Sequence, residues 1–408
     1  QPLPAPRSLS IRRSSDCFKP NERQSAAIGL YHEMDTPAFC IRSPPGSGKT
    51  TVAAAMAVSL ENENKRMERA SDVQLLLAVQ NSAVANLAVA VQSFDIDSLK
   101  SRCYHIKSLV RTDADSESPF GIKALLSTYK QYMPKADDSD LEIVIRYLEI
   151  DNALHDSESA LSARRRHKLT LEWHNSMRKA KLALERYLEP QIIFSTVDLA
   201  LCYAMKGAGR GIGRILSSVT RIIIDEASLL TESTFYCLVR YFPKAKFVLI
   251  GDDKQLPPFM FDAKITAHLL TARSALSIAM ENGSLPIIEL VEVYRAPPRL
   301  IDPYNILSYE HKLISRKIES SFPLTEIGLV EQGKPQLLLI GNQGAQTSGG
   351  YQSLWNMSEI EAVVALVEMF PADVNSQIMI ICLYKEQKRQ LEIVLETSYE
   401  LHTVDSSQ

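Results

Sequence analysis

Short apolar segments recur along the first 300 residues, and most of them are followed by a segment with the apolar spacing of a helix. The apolar segments are AFCIR (38–42), VQLLLAV (73–79), QIIFST (191–196), RIIIDEA (221–227), KFVLIGD (246–252) and SLPIIELVEVYR (284–295). Short runs without polar alternation are typical of strands that are buried on both faces of a parallel sheet. The alternation of such strands with helices predicts an α/β fold in which helices cover both faces of the sheet.

The composition is that of an ordinary globular protein. Of the 408 residues, 45% are apolar, which is enough to bury several cores. At roughly 150 residues per domain, the length predicts two to three domains. The net charge of −3 excludes a protein that is basic over its whole surface, but a local basic groove remains compatible with it.

The sequence predicts neither a membrane span nor secretion. No run approaches the length of about 18 consecutive apolar residues that a membrane-spanning helix needs. Residues 1–13 lack the apolar segment of a signal peptide. None of the six cysteines has the spacing of a metal site, so we expect free thiols in a reducing compartment. We therefore expect an intracellular protein, either cytoplasmic or nuclear.

The strand and helix alternation is interrupted once. Residues 101–189 lack the short apolar runs, and their second part has apolar residues at helical spacing, which predicts an inserted helical subdomain. A second α/β region is expected over 301–408, with strands at 335–341 and 377–383. Residues 1–20 are weakly patterned and contain Pro and Ser, so we expect a linker there.

The segment SPPGSGKT directly follows the first apolar run. A strand, a Gly/Pro loop and a helix in this order are typical of a phosphate-binding βα unit, whose backbone N–H groups and helix N-terminus bind an anion. Lys49 would contact the β- and γ-phosphates, and the Thr50 hydroxyl would bind Mg²⁺. The predicted phosphate-binding residues are Ser43, Pro44, Pro45, Gly46, Ser47, Gly48, Lys49, Thr50 and Thr51.

Further polar residues follow later strands. Asp225 and Glu226 end the run RIIIDEA, and ligands bind at the carboxyl ends of parallel strands. Asp225 suits a Mg²⁺ ligand and Glu226 a base that orients the attacking water, although a surface acidic turn explains the pair equally well in isolation. Gln255 can hydrogen-bond a γ-phosphate. Arg295 can neutralise transition-state charge, or it can form an ordinary surface salt bridge.

Taken in order, these motifs resemble those of the superfamily 1 helicases of the nonsense-mediated-decay (up-frameshift) type. NERQSAAI resembles the Q motif, SPPGSGKT the Walker A motif, and IIIDEAS the DExx box. GDDKQLPP resembles the coupling motif, and VYRAPP the motif with a γ-phosphate-sensing arginine. CLYKEQKRQLE and TVDSSQ resemble segments of the second domain of that family. The resemblance covers nearly the whole chain outside the predicted insertion.

The resemblance implies roles for residues that have no obvious chemistry alone. Gln24 is expected to recognise adenine, and Tyr294 is expected to stack near it. Asn81 and Thr196 are expected to grip nucleic-acid phosphates in the first domain, and Thr403 in the second.

The resemblance also implies the architecture and the reaction. Two RecA-like P-loop NTPase domains would bind ATP in the cleft between them. The first domain would comprise 21–100 and 190–300, with 101–189 inserted, and the second 301–408, incomplete at its C-terminus. With ATP and Mg²⁺ as cofactors, hydrolysis would drive 5′-to-3′ translocation on single-stranded RNA or DNA. We expect a monomer, a piece of a longer chain, with protein partners in RNA metabolism and no membrane association.

Several positions depart from the family pattern. Ser43 stands where the first glycine of the phosphate loop is usual, and Ala85, Leu229 and Asp253 also differ from the common residues. These departures keep a second interpretation open, an ATP-gated nucleic-acid clamp or scaffold with weak or no unwinding. The base-rich segment 161–188 likewise has two interpretations, a wall that contacts the nucleic acid or a solvated helix face.

Overall fold

The computed structural model describes residues 11–12, 17–33, 35–68, 72–94, 102–107, 118–155, 163–207, 211–258, 273–283, 285–317, 323–331, 334, 337–349, 353–371, 378–395 and 399–404. The chain divides into two compact units, Gln1–Val293 and Tyr294–Gln408. The domain bounds expected from the sequence stay a prediction.

The first unit begins with a short strand pair. Ile11–Arg12 (β1) and Cys17–Phe18 (β2) are antiparallel. Both strands fall within the predicted linker 1–20, the rest of which, apart from 19–20, lies outside the described residues. The strands are ordered because Ile11 is buried in the core and Phe18 contacts Phe94 edge-on.

The regular elements of the first unit follow in chain order. They are α1 (Glu22–Glu33), β3 (Ala38–Arg42), α2 (Lys49–Arg66), β4 (Val73–Ala78), α3 (Asn81–Ser93), β5 (Cys103–His105), α4 (Ile122–Ser127), α5 (Tyr129–Tyr132), α6 (Asp138–His155), α7 (Ala163–Glu185), β6 (Ile192–Thr196), α8 (Val197–Met205), α9 (Ile212–Leu216), β7 (Val219–Ile224), α10 (Glu232–Tyr241), β8 (Lys246–Gly251), the helix Ala275–Asn282, β9 (Ile287–Glu289) and β10 (Glu292–Val293). None of the helices in the described ranges combines the length and apolar character that crossing a membrane requires.

Seven strands of the described chain form one sheet in the order β5-β6-β4-β7-β8-β3-β9, and every pair in it is parallel. The carboxyl ends of all seven strands therefore lie along the same side of the sheet, which is called the carboxyl edge below. Only β8 separates β3 from β7. The loop after β3 and the acidic pair after β7 are brought close together by this strand order, although about 180 residues separate them in the sequence.

The sheet is buried on both faces. Side chains alternate along β3, so that Phe39 and Ile41 pack into a core with α1, α2 and α3, whereas Ala38 and Cys40 pack into the core on the opposite face. That second core includes residues of α7, α8 and α10. The predicted α/β class, with helices on both sides of a parallel sheet, is confirmed.

Helices α4 to α7 lie between β5 and β6 in the chain and are called the insertion below, and α6 packs along α7. One difference from the predicted insertion 101–189 is that Cys103–His105 forms β5, an edge strand paired with β6. This strand is held by burial rather than by a recognisable pattern, since Cys103 and Tyr104 are each only 1% exposed. A run of three residues is too short to stand out from its neighbours in the sequence.

The second unit contains the helix Pro298–Ser308, β11 (Ile314–Ser315), the helix Pro323–Glu326, β12 (Thr347–Ser348), β13 (Leu354–Trp355), the helix Met357–Val367, β14 (Met379–Cys382), the helix Lys385–Val394 and β15 (Glu400–Thr403). The strands β14 and β15 are parallel and β14 lies within the strand predicted at 377–383. The strand predicted at 335–341 is wrong, because 337–341 form no strand and Leu339 is 94% exposed. Residues 335–336 lie outside the described residues.

Candidate active site

The loop between β3 and α2 has the conformation that the phosphate-binding prediction requires. Gly46 and Gly48 have φ values of +76° and +83°, which glycine adopts without strain. Gly48 is followed directly by Lys49, the first residue of α2. The loop therefore points the N-terminus of an 18-residue helix towards the carboxyl edge of the sheet.

Ser43 fits the loop in place of the usual glycine. Its hydroxyl lies 2.7 Å from the Ser47 Oγ, and the Ser47 hydroxyl donates to the Pro44 carbonyl at 2.7 Å. Because the Ser47 proton is used in that bond, the Ser43 hydroxyl must be the donor between the two. Ser43 is fully buried, and its backbone N–H donates to the Gly251 carbonyl at 2.8 Å. The departure at Ser43 is thus accommodated inside the loop.

Gln24 lies against the phosphate loop. Its Nε2 donates to the Ser47 carbonyl at 3.3 Å, and it is 3% exposed. Its amide oxygen accepts from the Asn21 backbone N–H at 3.1 Å, while the Gln24 N–H donates to the Asn21 side chain at 2.8 Å. This reciprocal pair fixes the first turn of α1. The adenine-recognition role expected for Gln24 stays a prediction.

The acidic pair after β7 contacts the start of α2. The Thr50 hydroxyl donates to the Asp225 Oδ2 at 3.0 Å, and the Lys49 Nζ lies 2.6 Å from the Glu226 Oε1. Glu226 has a φ of +52°, an uncommon conformation for a residue other than glycine, and its backbone N–H donates to the Asp225 Oδ1 at 2.9 Å. The two motifs, remote in the sequence, form one cluster.

The electrostatics of this cluster suit a divalent cation. Burial raises the pKa of Asp225 above its ordinary value, and the neighbouring Glu226 charge raises it further, whereas Lys49 acts to lower it. A buried carboxylate beside a hydroxyl oxygen offers the hard oxygen ligands that Mg²⁺ prefers. Thr50 and Asp225 would therefore suit a Mg²⁺ ion, which would supply positive charge beside a bound phosphate. The described residues contain no group of three or more His, Cys, Asp or Glu side chains placed to hold a metal.

Gln255 is held by a residue that the sequence analysis did not single out. Its Nε2 donates to the Asp252 Oδ2 at 3.1 Å, and its backbone N–H donates to the Asp252 carbonyl at 3.2 Å. Asp252 is fully buried and also accepts from the Lys254 N–H at 3.1 Å. The signal for Asp252 was its position directly after β8, which matches that of Asp225 after β7.

The predicted nucleic-acid contacts of the first unit lie at the same sheet edge. Asn81 begins α3, which follows β4, and Thr196 is the last residue of β6 and precedes α8. Thr196 pairs with Ala78 of β4, so the two elements are neighbours. Asn81 is exposed. The structure therefore places both residues at one edge, and their contacts with nucleic acid stay a prediction.

Three predicted residues belong to the second unit. Tyr294 and Arg295 are exposed at its start, with Tyr294 44% exposed. Burial raises the pKa of Tyr304 above its ordinary value, and the Arg295 charge acts against this rise. Thr403 is buried at the end of β15. Their expected roles in adenine stacking, charge neutralisation and nucleic-acid contact stay predictions.

A parallel sheet with a phosphate loop after one strand and an acidic pair after a nearby strand defines a P-loop NTPase. Comparison with known families identifies the particular group. Residues 19–263 match the family model AAA_11, described as an AAA domain, and residues 271–408 match AAA_12, also an AAA domain. The chain belongs to this AAA-domain family, among the Upf1-like superfamily 1 helicases.

Individual relatives are similar at modest identity. An uncharacterised ATP-dependent helicase of Caenorhabditis elegans, C05C10.2, is 30% identical over 54% of this chain and 14% of its own length. The Saccharomyces cerevisiae ATP-dependent helicase NAM7 is 25% identical over 76% of this chain and 27% of its own length. The mouse probable helicase senataxin is 24% identical over 95% of this chain and 17% of its own length. The chain thus spans about a quarter or less of these relatives.

Proposed function

We propose that this protein is a Mg²⁺-dependent ATPase that couples hydrolysis to 5′-to-3′ movement along single-stranded nucleic acid. The observation that carries the proposal is the double contact between α2 and the end of β7. Lys49 lies 2.6 Å from Glu226, and Thr50 donates to Asp225 at 3.0 Å. This arrangement puts a cation, a metal ligand pair and a base within one phosphate-sized site.

Each residue has a distinct part in the hydrolysis. The backbone N–H groups of the loop and the Lys49 ammonium hold the phosphates and offset their charge. Thr50 and Asp225 would hold Mg²⁺, which when bound would supply further positive charge to stabilise the phosphates. Glu226 orients the attacking water and accepts its proton. Gln255, fixed by Asp252, hydrogen-bonds the γ-phosphate and responds to its loss.

The nucleic-acid part of the proposal rests on the sheet edge and on the relatives. Asn81 follows β4 and Thr196 ends the neighbouring strand β6, at the edge that also carries the phosphate loop, so a backbone gripped there is close to the hydrolysis site. Relatives are named as ATP-dependent helicases. In the second unit, we propose that Thr403 grips the nucleic acid and that Arg295 has a different role, the neutralisation of transition-state charge in hydrolysis. We also propose a monomer located in the cytoplasm or nucleus, with protein partners in RNA metabolism.

The test is ATP turnover by the intact protein with and without single-stranded RNA or DNA, at low and high salt. We expect stimulation by one polymer and its loss at high salt, because phosphate contacts release counterions. Glu226→Gln should reduce turnover by at least about a hundredfold while ATP still binds. The matched control is Glu232→Gln, which changes a nearby carboxylate that accepts from the Tyr236 hydroxyl.

Two other outcomes carry clear meanings. If turnover is indifferent to both polymers at every salt concentration, the nucleic-acid motor assignment is wrong. If nucleotide changes the affinity for a strand but a duplex is never displaced, the protein is the ATP-gated clamp that the sequence left as an alternative. Full activity of Glu226→Gln would remove the hydrolytic role of the acidic pair.

A further inference from the structure

Three strand ends are connected by one side chain in the first unit. Arg42 is the last residue of β3, Asp253 follows β8 by two residues, and Glu289 is the last residue of β9. Because β3 lies between β8 and β9, the Arg42 side chain has a strand end on either side. The register places Arg42 beside Gly251 and beside Glu289.

The contacts use the whole guanidinium. The Arg42 Nε donates to the Asp253 Oδ1 at 2.7 Å, and Nη2 donates to Oδ2 at 3.3 Å. The Nη1 group donates to the Glu289 carboxylate. Asp253 is only 13% exposed and Arg42 28%, so the pair is partly shielded from water. A two-bond contact between a planar guanidinium and a carboxylate fixes orientation as well as distance.

The sheet does not need these contacts to hold its strands. Backbone bonds already join the strand ends, from the Ser43 N–H to the Gly251 carbonyl and from the Leu290 N–H to the Arg42 carbonyl, each at 2.8 Å. The ladder ends at Gly251, and the segment that follows is a loop. The additional effect of Arg42 is therefore to fix the loop after β8, through Asp253, rather than to hold the strands together.

That loop carries Gln255. Asp253 directly follows Asp252, the buried carboxylate that accepts from the Gln255 Nε2. On the other side, Ser43, the first residue of the phosphate loop, directly follows Arg42. The Arg42 side chain thus links the start of the phosphate loop to the loop that holds Gln255.

The second partner of Arg42 reaches the remaining part of the site. The Glu289 carbonyl accepts from the Arg23 Nη1 at 2.8 Å, and the residue after Arg23 is Gln24, whose amide holds Ser47. Arg42 is therefore connected to the loop that holds Gln255 through Asp253, and to the first turn of α1 through Glu289.

We propose that Arg42 is a positioning residue of the ATPase, which acts through Asp253 to place Gln255 for hydrolysis without contacting the nucleotide. This inference rests on the proposed function. It predicts a change in the rate of hydrolysis with little change in ATP affinity, because the phosphate loop keeps its own backbone bonds. A residue with a merely structural role would instead affect folding stability and both kinetic constants together.

The test compares Arg42→Gln, Asp253→Asn and the double variant of the intact protein. We expect kcat to fall about tenfold in each single variant and no further in the double variant, with the Kd for a non-hydrolysable ATP analogue within about threefold of wild type. Arg42→Lys should recover only part of the rate, since an ammonium keeps the charge but not the two-bond geometry.

The matched control is Arg186→Gln, which removes another arginine–aspartate contact, between Arg186 and Asp140 in the insertion. It should lower stability slightly and leave kcat unchanged. Unchanged kcat in Arg42→Gln, additive losses in the double variant, or a loss of ATP affinity that matches the loss of rate would each overturn the inference. If wild type itself does not hydrolyse ATP, or if Glu226→Gln is fully active, it is the proposed function that fails.

Discussion

Two regions of the first unit use buried charge in different ways. At the carboxyl edge of the sheet, the contacting residues are remote in the sequence, with 175 positions between Thr50 and Asp225 and 211 between Arg42 and Asp253. In the insertion, α6 and α7 are successive helices, and only 46 positions separate Asp140 from Arg186. The contacts at the carboxyl edge therefore form only when the whole sheet is assembled. The contacts in the insertion need only one helix pair and its packing against the core.

The two regions also differ in whether a buried charge lies next to an opposite charge that offsets its burial. Burial disfavours the charge of Asp225 and so lowers the stability of the fold. Such buried charges are typical of ligand-binding sites. Lys181 of α7 is also buried, but its Nζ lies 3.8 Å from Glu185 and donates to the Tyr203 hydroxyl at 3.4 Å. We conclude that changes at the edge should affect turnover more than stability, and that changes in the insertion should do the reverse.

The largest expected effect is that of Lys49→Met at the edge. Turnover should fall by roughly a thousandfold, because the ammonium that neutralises phosphate charge is lost from a partly buried site. Steady-state ATPase rates measure it. Lys312→Met, which removes an exposed lysine paired with Glu310, is the control and should retain full activity. If Lys49→Met kept more than a tenth of the wild-type rate, the expectation that changes at the carboxyl edge mainly affect turnover would be wrong.

Asp225→Asn should separate activity from stability at the same edge. Turnover should fall about a hundredfold as the metal ligand is lost, while without metal the melting temperature at pH 7 should rise by about 2–5 °C. The sign follows from the raised pKa of Asp225. Burial makes the folded state hold its proton more tightly, so wild-type stability falls as the pH rises from the ordinary pKa through the folded value.

The gain from Asp225→Asn should therefore be close to zero near pH 4 and present at pH 7. Thermal melts of both proteins in a chelator, across this pH range, measure the difference. A gain that is equal at both pH values would show that the Asp225 charge is not the cause.

Lys181→Met tests the insertion. The unfolding free energy should fall by about 3 kcal/mol, because Glu185 loses the cation that offsets its buried charge. Burial already raises the pKa of Glu185, and Lys181 acts against this. Denaturant unfolding gives the free energy, and ATP turnover well below the melting temperature should be unchanged. The double variant with Glu185→Gln should regain more than half of the loss, and its failure to do so would refute the pairing.

The smallest expected effect is that of Asp151→Ala. Its carboxylate accepts from the Trp173 Nε1 of α7 at 2.6 Å and, within α6, from the Tyr147 hydroxyl at 3.3 Å. The unfolding free energy should fall by about 1 kcal/mol for the lost hydrogen bonds. Tryptophan fluorescence should shift as the indole loses its partner, and turnover should not change. A change in turnover larger than about twofold would mean that the insertion and the edge are coupled.

The fold was predictable where a local pattern reports burial. The largely apolar runs at 73–79 and 246–252 form β4 and β8 because strands buried on both faces need no polar alternation. The same reasoning failed for the strand predicted at 335–341, since the apolar residues of its described part, 337–341, are exposed and form no strand. It also missed β5, which three buried residues form through pairing with β6. Apolar composition indicates a strand only when a neighbouring strand is present to pair with it.

The residues of the candidate site were likewise predictable only in part. Lys49, Thr50, Asp225 and Glu226 were found from motif and spacing, because phosphate and Mg²⁺ chemistry demands those residue types directly after strands. Asp252 and Arg42 were not singled out, since a carboxylate or a guanidinium has no distinctive pattern until its partner is known.

The sequence by itself determined the parallel α/β class, the phosphate loop and the order of the motifs, all of which are set by composition and spacing over a few neighbouring residues. Only the tertiary structure decided that the Ser43 hydroxyl bonds within the loop, that Asp252 fixes Gln255, and that Arg42 joins three strand ends. The physical reason is the strand order. Placing β3 between β8 and β9 sets which side chains meet across more than 200 residues, and no local pattern encodes that arrangement.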